Sequence, residues 1–225
     1  MPRPISVSRV GTAIQRPYAV RFKGIHCFGQ QRGLDADDMY ALISVYPVGR
    51  NTAIATTSLK LPLDSPGEKD QTWAMKTGDS RTAADVCYQG AATDIAVSVV
   101  LMEQDQADIS STETFIRDKV SAGVEEGLKA LYAKVPEAAI IEAIPGFREK
   151  AKEIISDGIV LGLKELIGFD NDKIGEDVLA ILLPDMIRIS TEEERVEAGI
   201  EHHLASTLLS DGDASYKVYF DIVAE

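Results

Sequence analysis

The run Ile95-Ala-Val-Ser-Val-Val-Leu101, followed by the acidic tail Glu103-Gln-Asp105-Gln-Ala-Asp108, is the stretch on which the fold turns. Its apolar character is continuous rather than alternating, which fits a strand covered on both faces. Far downstream a second acidic cluster, Phe169-Asp-Asn-Asp-Lys-Ile-Gly175, precedes another apolar run, Val178-Leu-Ala-Ile-Leu-Leu183. The two clusters read as two sides of one loop region, with a helical block inserted between them.

Working outward from that centre, strands are expected on both sides of the block. Tyr18, Val20 and Phe22 alternate with Ala19, Arg21 and Lys23, the period of two that sets one row of side chains against a core. Met39-Tyr-Ala-Leu-Ile-Ser-Val-Tyr46 and Thr52-Ala-Ile-Ala-Thr-Thr-Ser-Leu-Lys-Leu61 suit pleated surfaces, and Pro47-Val-Gly-Arg-Asn51 between them is turn chemistry. Residues 62–85 read as a long connection anchored by Trp73 as a core plug. Val86-Cys-Tyr88 is a short strand. At the C-terminus Tyr216, Val218, Phe220 and Ile222 alternate with Lys217, Tyr219 and Asp221, which predicts a strand with one face in the core and one in solvent. The charged stretch Thr191-Glu-Glu-Glu-Arg195 reads as a solvated helical turn.

Between the acidic clusters the period changes. Ser110-Ser-Thr-Glu113 has capping-box spacing, and Ile116, Val120, Val124 and Leu128 then fall on one helical face. Pro136 ends that helix; after Pro145-Gly146 a second one stacks Phe147, Ala151, Gly158, Gly162 and Leu166. KVSAGVEEGLKAL at 119–131 and IISDGIVLGLKEL at 154–166 share both glycines at a constant offset of 35 residues, so a hairpin with close backbone approach is expected over 110–168. The organisation is therefore an N-terminal arm (1–16), a sandwich assembled from 17–109 and 169–225, and the insertion.

Composition bounds the function. In 225 residues an apolar fraction of 45% supplies a core, while a formal charge of −13 argues against nucleic acid, whose phosphates are bound by clustered Lys and Arg. Met1-Pro-Arg-Pro-Ile-Ser-Val lacks the apolar core of a secretory signal, and no segment reaches the roughly 18 apolar residues of a membrane span, so a cytoplasmic location is expected. Cys27 and Cys87 lack metal or redox spacing and read as reduced, half-buried thiols, with a disulfide between them as the alternative. Glu201-His202-His203 places adjacent imidazoles in different directions, a poor two-ligand site, and His26–Cys27 are neighbours on a strand, which face opposite sides. GxSxG, P-loop and dinucleotide patterns are absent.

The acidic positions carry a resemblance. Ala36-Asp-Asp38-Met-Tyr40 stands where the calcium- and phospholipid-binding C2 domain has its first-loop Ser-Asp-Pro-Tyr; Glu103-x-Asp105 is similar to its Asp-x-Asp pair, and Asn171-Asp172-Lys-Ile174-Gly175 to the Asp-Asp-x-Ile-Gly that opens its next strand. The resemblance covers 17–109 and 169–225 and leaves out the helices. It departs from the family where Arg32 falls near the earlier first-loop Asp, Met39 replaces Pro and Glu103 replaces Asp. It implies a mainly β fold with a helical insertion (α+β): an antiparallel C2-like β-sandwich. It also implies a Ca2+ site at Asp38, Glu103, Asp105 and Asp172, with Asp35, Asp37, Asp108 and Asp170 nearby, since calcium takes six to eight oxygen ligands from flexible loops. The expected function is a non-enzymatic binding or interaction module, docking on a protein partner, or on a membrane when calcium is bound, through the acidic loop face and the inserted helices. The alternatives are a metal-free structural subunit of a protein assembly and, third, a metal-dependent hydrolase.

Overall fold

Around Ile95–Glu103 (β6) the chain builds a four-stranded antiparallel sheet in the order β3-β2-β6-β7, where β2 is Met39–Pro47, β3 Thr57–Leu63 and β7 Lys173–Ile181. The computed structural model describes residues 16–29, 39–47, 57–63, 70–74, 86–103, 173–210 and 214–225, with the single residues Thr114, Asp118, Gly146, Lys150, Glu153 and Asp157. Ile95, Val97, Val99 and Leu101 fill one face of β6, and Ala96, Ser98, Val100 and Met102 on the other are equally buried, as its unbroken apolar run requires.

The second sheet has six strands among the described residues. Pro17–Gly29 (β1) pairs along most of its length with Ser215–Ala224 (β12), and on its other edge with Thr72–Ala74 (β4) and Val86–Ala91 (β5). Leu204–Ala205 (β10) and Leu209–Ser210 (β11) pair with the far edge of β12. Tyr18, Val20, Phe22, Ile25 and Cys27 of β1 and Tyr216, Val218, Phe220 and Ile222 of β12 join the β6 residues in a single buried cluster, so both sheets contribute to one core. The fold is thus mainly β, with antiparallel sheets.

Contacts between the two sheets are polar as well as apolar. Asp177 on β7 accepts the Thr207 N–H (2.7 Å) and the Val178 N–H (2.8 Å), tying the edge of the first sheet to the segment after β10. Gly175 lies so close to β11 that an added Cβ would stand 2.9 Å from Leu209 Cβ and from the Ser210 nitrogen.

Several expectations are corrected. The apolar run through Leu183 divides: β7 ends at Ile181 and Leu183–Ile189 is a helix (α1), burying Met186, Ile187 and Ile189. Pro184 suits a first helical turn, where a missing N–H costs nothing, and the distant Asp94 caps it by accepting the Leu183 N–H at 2.7 Å. Thr191 and Glu192 close a turn after the helix, and Arg195 already opens a strand, so 191–195 is not a helical turn. Arg195–Glu197 (β8) and Ile200–His202 (β9) make a hairpin whose central Ala198 and Gly199 have φ of 52° and 77°, a turn with both residues left-handed that matches strand twist. Trp73 lies in β4 instead of a loop. The second face of β12 is largely covered, since Tyr219 and Asp221 are buried and Lys217 is only partly exposed.

The arm 1–15 and the expected strand over 52–56 lie outside the described residues. So does the 110–168 insertion, apart from the six single positions; of these Thr114, Asp118, Lys150, Glu153 and Asp157 are helical, too few to show a hairpin. Among the described residues no helix is long and apolar enough to cross a membrane.

Candidate functional site

Of the four residues the sequence marks as calcium ligands, Asp38, Asp105 and Asp172 lie outside the described residues, as do Asp35, Asp37, Asp108 and Asp170. Glu103 is described through its backbone, at the end of β6. There Met39 is opposite Glu103 and Lys173 opposite Met102, so the strand positions that adjoin Asp38 and Asp172 in sequence meet at the same end of one sheet.

The polar group that is described in full lies elsewhere, on the outer face of the six-stranded sheet. Its origin is an irregularity in β1: the register runs Phe22↔Phe220, then Gly24↔Tyr219, leaving Lys23 as an extra residue. Such a bulge re-aims a side chain. It also shifts the alternation by one, so that Ile25 and Cys27, rather than residue 24, continue the core row begun by Tyr18, Val20 and Phe22. Lys23 Nζ meets Asp221 Oδ2 at 2.7 Å and Glu194 Oε1 at 3.5 Å. Asp221 Oδ1 accepts the His203 backbone N–H at 3.1 Å and stands 3.3 Å from His203 Nδ1. His203 Nε2 is 3.2 Å from the Glu192 carbonyl and Nδ1 is 3.4 Å from the Ile222 nitrogen, contacts that fit a proton on Nε2 donated to Glu192.

Burial sorts these charges. Desolvation tends to lower Lys23, but its hydrogen bond and attraction to Asp221, with help from Glu194, leave the ammonium above its usual range. Asp221 is 3% exposed, and there desolvation wins: its carboxyl is raised, with Glu194 adding to the rise and Lys23 opposing it. The more exposed Glu194 goes the other way, since burial is outweighed by hydrogen bonding to Asp221 and by the Lys23 charge, and it is held low. The group therefore keeps one firmly ionised carboxylate and one that ionises reluctantly.

Glu194, His203 and Asp221 each offer one ligand atom within 4.8 Å of the others. An imidazole nitrogen suits zinc-like ions rather than calcium, and Lys23 already supplies a cation at Asp221, so this group lends nothing to a calcium site. What the geometry provides is a clasp joining β1, β12, the 192–194 segment and His203. Further along the same face, Thr72 Oγ1 contacts His26 Nδ1 at 2.6 Å and donates to the Ala198 carbonyl at 3.1 Å, and Lys217 pairs with Glu197 at 2.7 Å. The His202 ring lies 4.7 Å from that of Tyr219, whose fully buried hydroxyl has no hydrogen-bond partner among the described residues; burial, with the nearby Glu197, pushes that phenol upward.

Beside the clasp is a groove of about 580 Å³, bordered by Arg188 of α1, Arg195–Glu197 of β8, His202, Lys217 and the edge formed by Leu204, Ala205 and Ser206. Cys27 and Cys87 are not joined in a disulfide and are fully buried, and burial raises the Cys27 thiol. A comparison of the chain with known protein families and with curated proteins finds no match.

Lys23, Glu194, His203 and Asp221 were not singled out from sequence. Asp221 sits in the half of its alternation that reads as solvent-facing, and His203 falls with the discounted histidine pair. One local sign exists: the apolar phase jumps from Phe22 to Ile25 across Gly24, the mark of a bulge.

Proposed function

We propose that the protein is a non-enzymatic binding module, a C2-like β-sandwich carrying a helical insertion, whose acidic loops at one end take calcium and then dock on an anionic membrane or protein surface. The observation that carries this reading is the meeting of Met39, Glu103 and Lys173 at one sheet end. Acidic segments flank all three in sequence, and several carboxylates at one rim are what a flexible oxygen-ligand site needs. Calcium would neutralise the rim of a chain whose formal charge is −13 and so permit docking on a negative surface.

Thermal unfolding with increasing calcium tests it. A real site stabilises the fold by RT ln(1 + [L]/Kd), about 2.7 kcal/mol at a hundredfold excess over Kd. That gain should vanish in Asp172→Asn. An unchanged melting temperature at millimolar calcium refutes the metal site.

A metal-free assembly subunit is the second reading. It is favoured by the Lys23 clasp, in which the carboxylates described in full already hold a cation of the protein's own.

A further inference from the structure

We propose that the groove beside β10 receives an extended peptide bearing a carboxylate, which adds a strand to the free edge of β10 and pairs with Arg195. The proposal rests on the reading of the chain as a binding module and gives that module a partner chemistry.

Two edges make the site. Among the described strands β10 pairs with β12 alone and β8 with β9 alone, and both border the groove. An edge strand presents unpaired N–H and C=O groups, and proteins usually blunt it with Lys, Pro or another charge. The two-residue edge Leu204-Ala205 has none of these, and the N–H of the next residue, Ser206, is already given to the Val218 carbonyl at 2.8 Å. Adding a strand to such an edge is a standard mode of peptide recognition, in which main-chain bonds supply affinity and side-chain contacts supply choice.

Charge supplies the choice. Arg188 is taken up by Glu192 and Asp185, and Lys217 by Glu197. Arg195 is exposed and has no ion pair among the described residues, so an acidic chain holds an unspent guanidinium at the mouth of a groove. A guanidinium presents a fork of donors matched to a carboxylate. Next to it Val196 is 68% exposed, a large apolar surface available to a neighbouring peptide side chain. A volume near 580 Å³ falls within the range of about 300–1,000 Å³ typical of ligand clefts. A small free anion would satisfy Arg195 and leave the β10 edge open, which is why a peptide is the occupant chosen.

The test uses the full chain, labelled with 15N, in buffer containing a calcium chelator, so that failure of the calcium site leaves it unaffected. The probes are two degenerate pools of acetylated, amidated pentapeptides with the central position fixed as Glu in one and Lys in the other, plus the Glu pool with methylated backbone nitrogens. The Glu pool at millimolar concentration should shift the amides of Leu204, Ala205 and Ser206 and the Arg195 side chain. The Lys and N-methylated pools should not, and Arg195→Gln should weaken the Glu-pool response about tenfold, as loss of one charge-assisted contact does. Absence of shifts at 204–206, equal response to the Lys pool, or the same shifts from acetate alone would overturn the proposal. Because Arg195 is exposed, an otherwise unchanged spectrum shows that the variant is folded.

Discussion

Replacing Lys23 with methionine keeps the aliphatic stem and deletes the ammonium of the clasp. At the 2.7 Å between Lys23 Nζ and Asp221 Oδ2, opposite unit charges attract by about 6 kcal/mol at an effective dielectric near 20. Desolvation offsets much of this, and removing one partner of a buried pair costs roughly 3–5 kcal/mol. The Lys23 side chain retains 23% exposure, so solvent screening brings the expected loss to about 2 kcal/mol at neutral pH. The loss should depend on pH in a definite sense. Asp221 already titrates above its unfolded value, and without the opposing charge of Lys23 it rises further; a carboxyl of that kind favours folding at low pH, and the contribution fades as pH climbs through its folded value. Glu194 is held low partly by Lys23, and that stability is present above its unfolded value and lost on acidification, so it too has less to lose to the substitution in acid. Urea unfolding of wild type and Lys23→Met near pH 7 and at about pH 4.5, within the carboxylate range, should therefore show a deficit that shrinks in acid. A deficit equal at both, or below about 0.5 kcal/mol at neutral pH, the size of an ordinary surface change, would refute the clasp.

Ala198 adopts φ 52° where glycine is at ease, so Ala198→Gly should stabilise by about 1 kcal/mol in the same assay. Gly175→Ala pushes a methyl against the β11 backbone and should cost roughly 1–3 kcal/mol. The Asp94 carboxyl caps α1 while burial holds it above its usual range: Asp94→Ala should cost about 1 kcal/mol and speed amide exchange at Leu183. Asp94→Asn keeps an acceptor without a charge to bury, so it should cost less than Ala, and its cost relative to wild type should shrink as pH rises and the native carboxyl ionises. Cys27 and Cys87, fully buried, should resist a thiol reagent in the native state and both react in denaturant.

The strands that carry the core were legible because burial imposes local patterns. The unbroken apolar run at Ile95–Leu101 announced a strand covered twice, and alternation from Tyr18 and from Tyr216 announced the two long partners of the other sheet. The β8–β9 hairpin was missed because its turn is Ala198-Gly199, which lacks the Asn or Asp that usually signals two left-handed residues. Helix α1 was missed because Leu182-Leu183-Pro184 continues an apolar strand in composition, and the residue that caps the helix, Asp94, is remote in sequence.

By itself the sequence determined which residues needed shelter from water, since that preference is a property of each side chain and its spacing. Only the tertiary structure decided that Asp221 would be sheltered too. Its burial depends on a bulge in β1, a hairpin laid over the sheet, and an ammonium delivered from a strand 198 positions away (23 to 221). A charge leaves water only when its partner arrives with it, and that arrival is settled by chain topology, which no local pattern records.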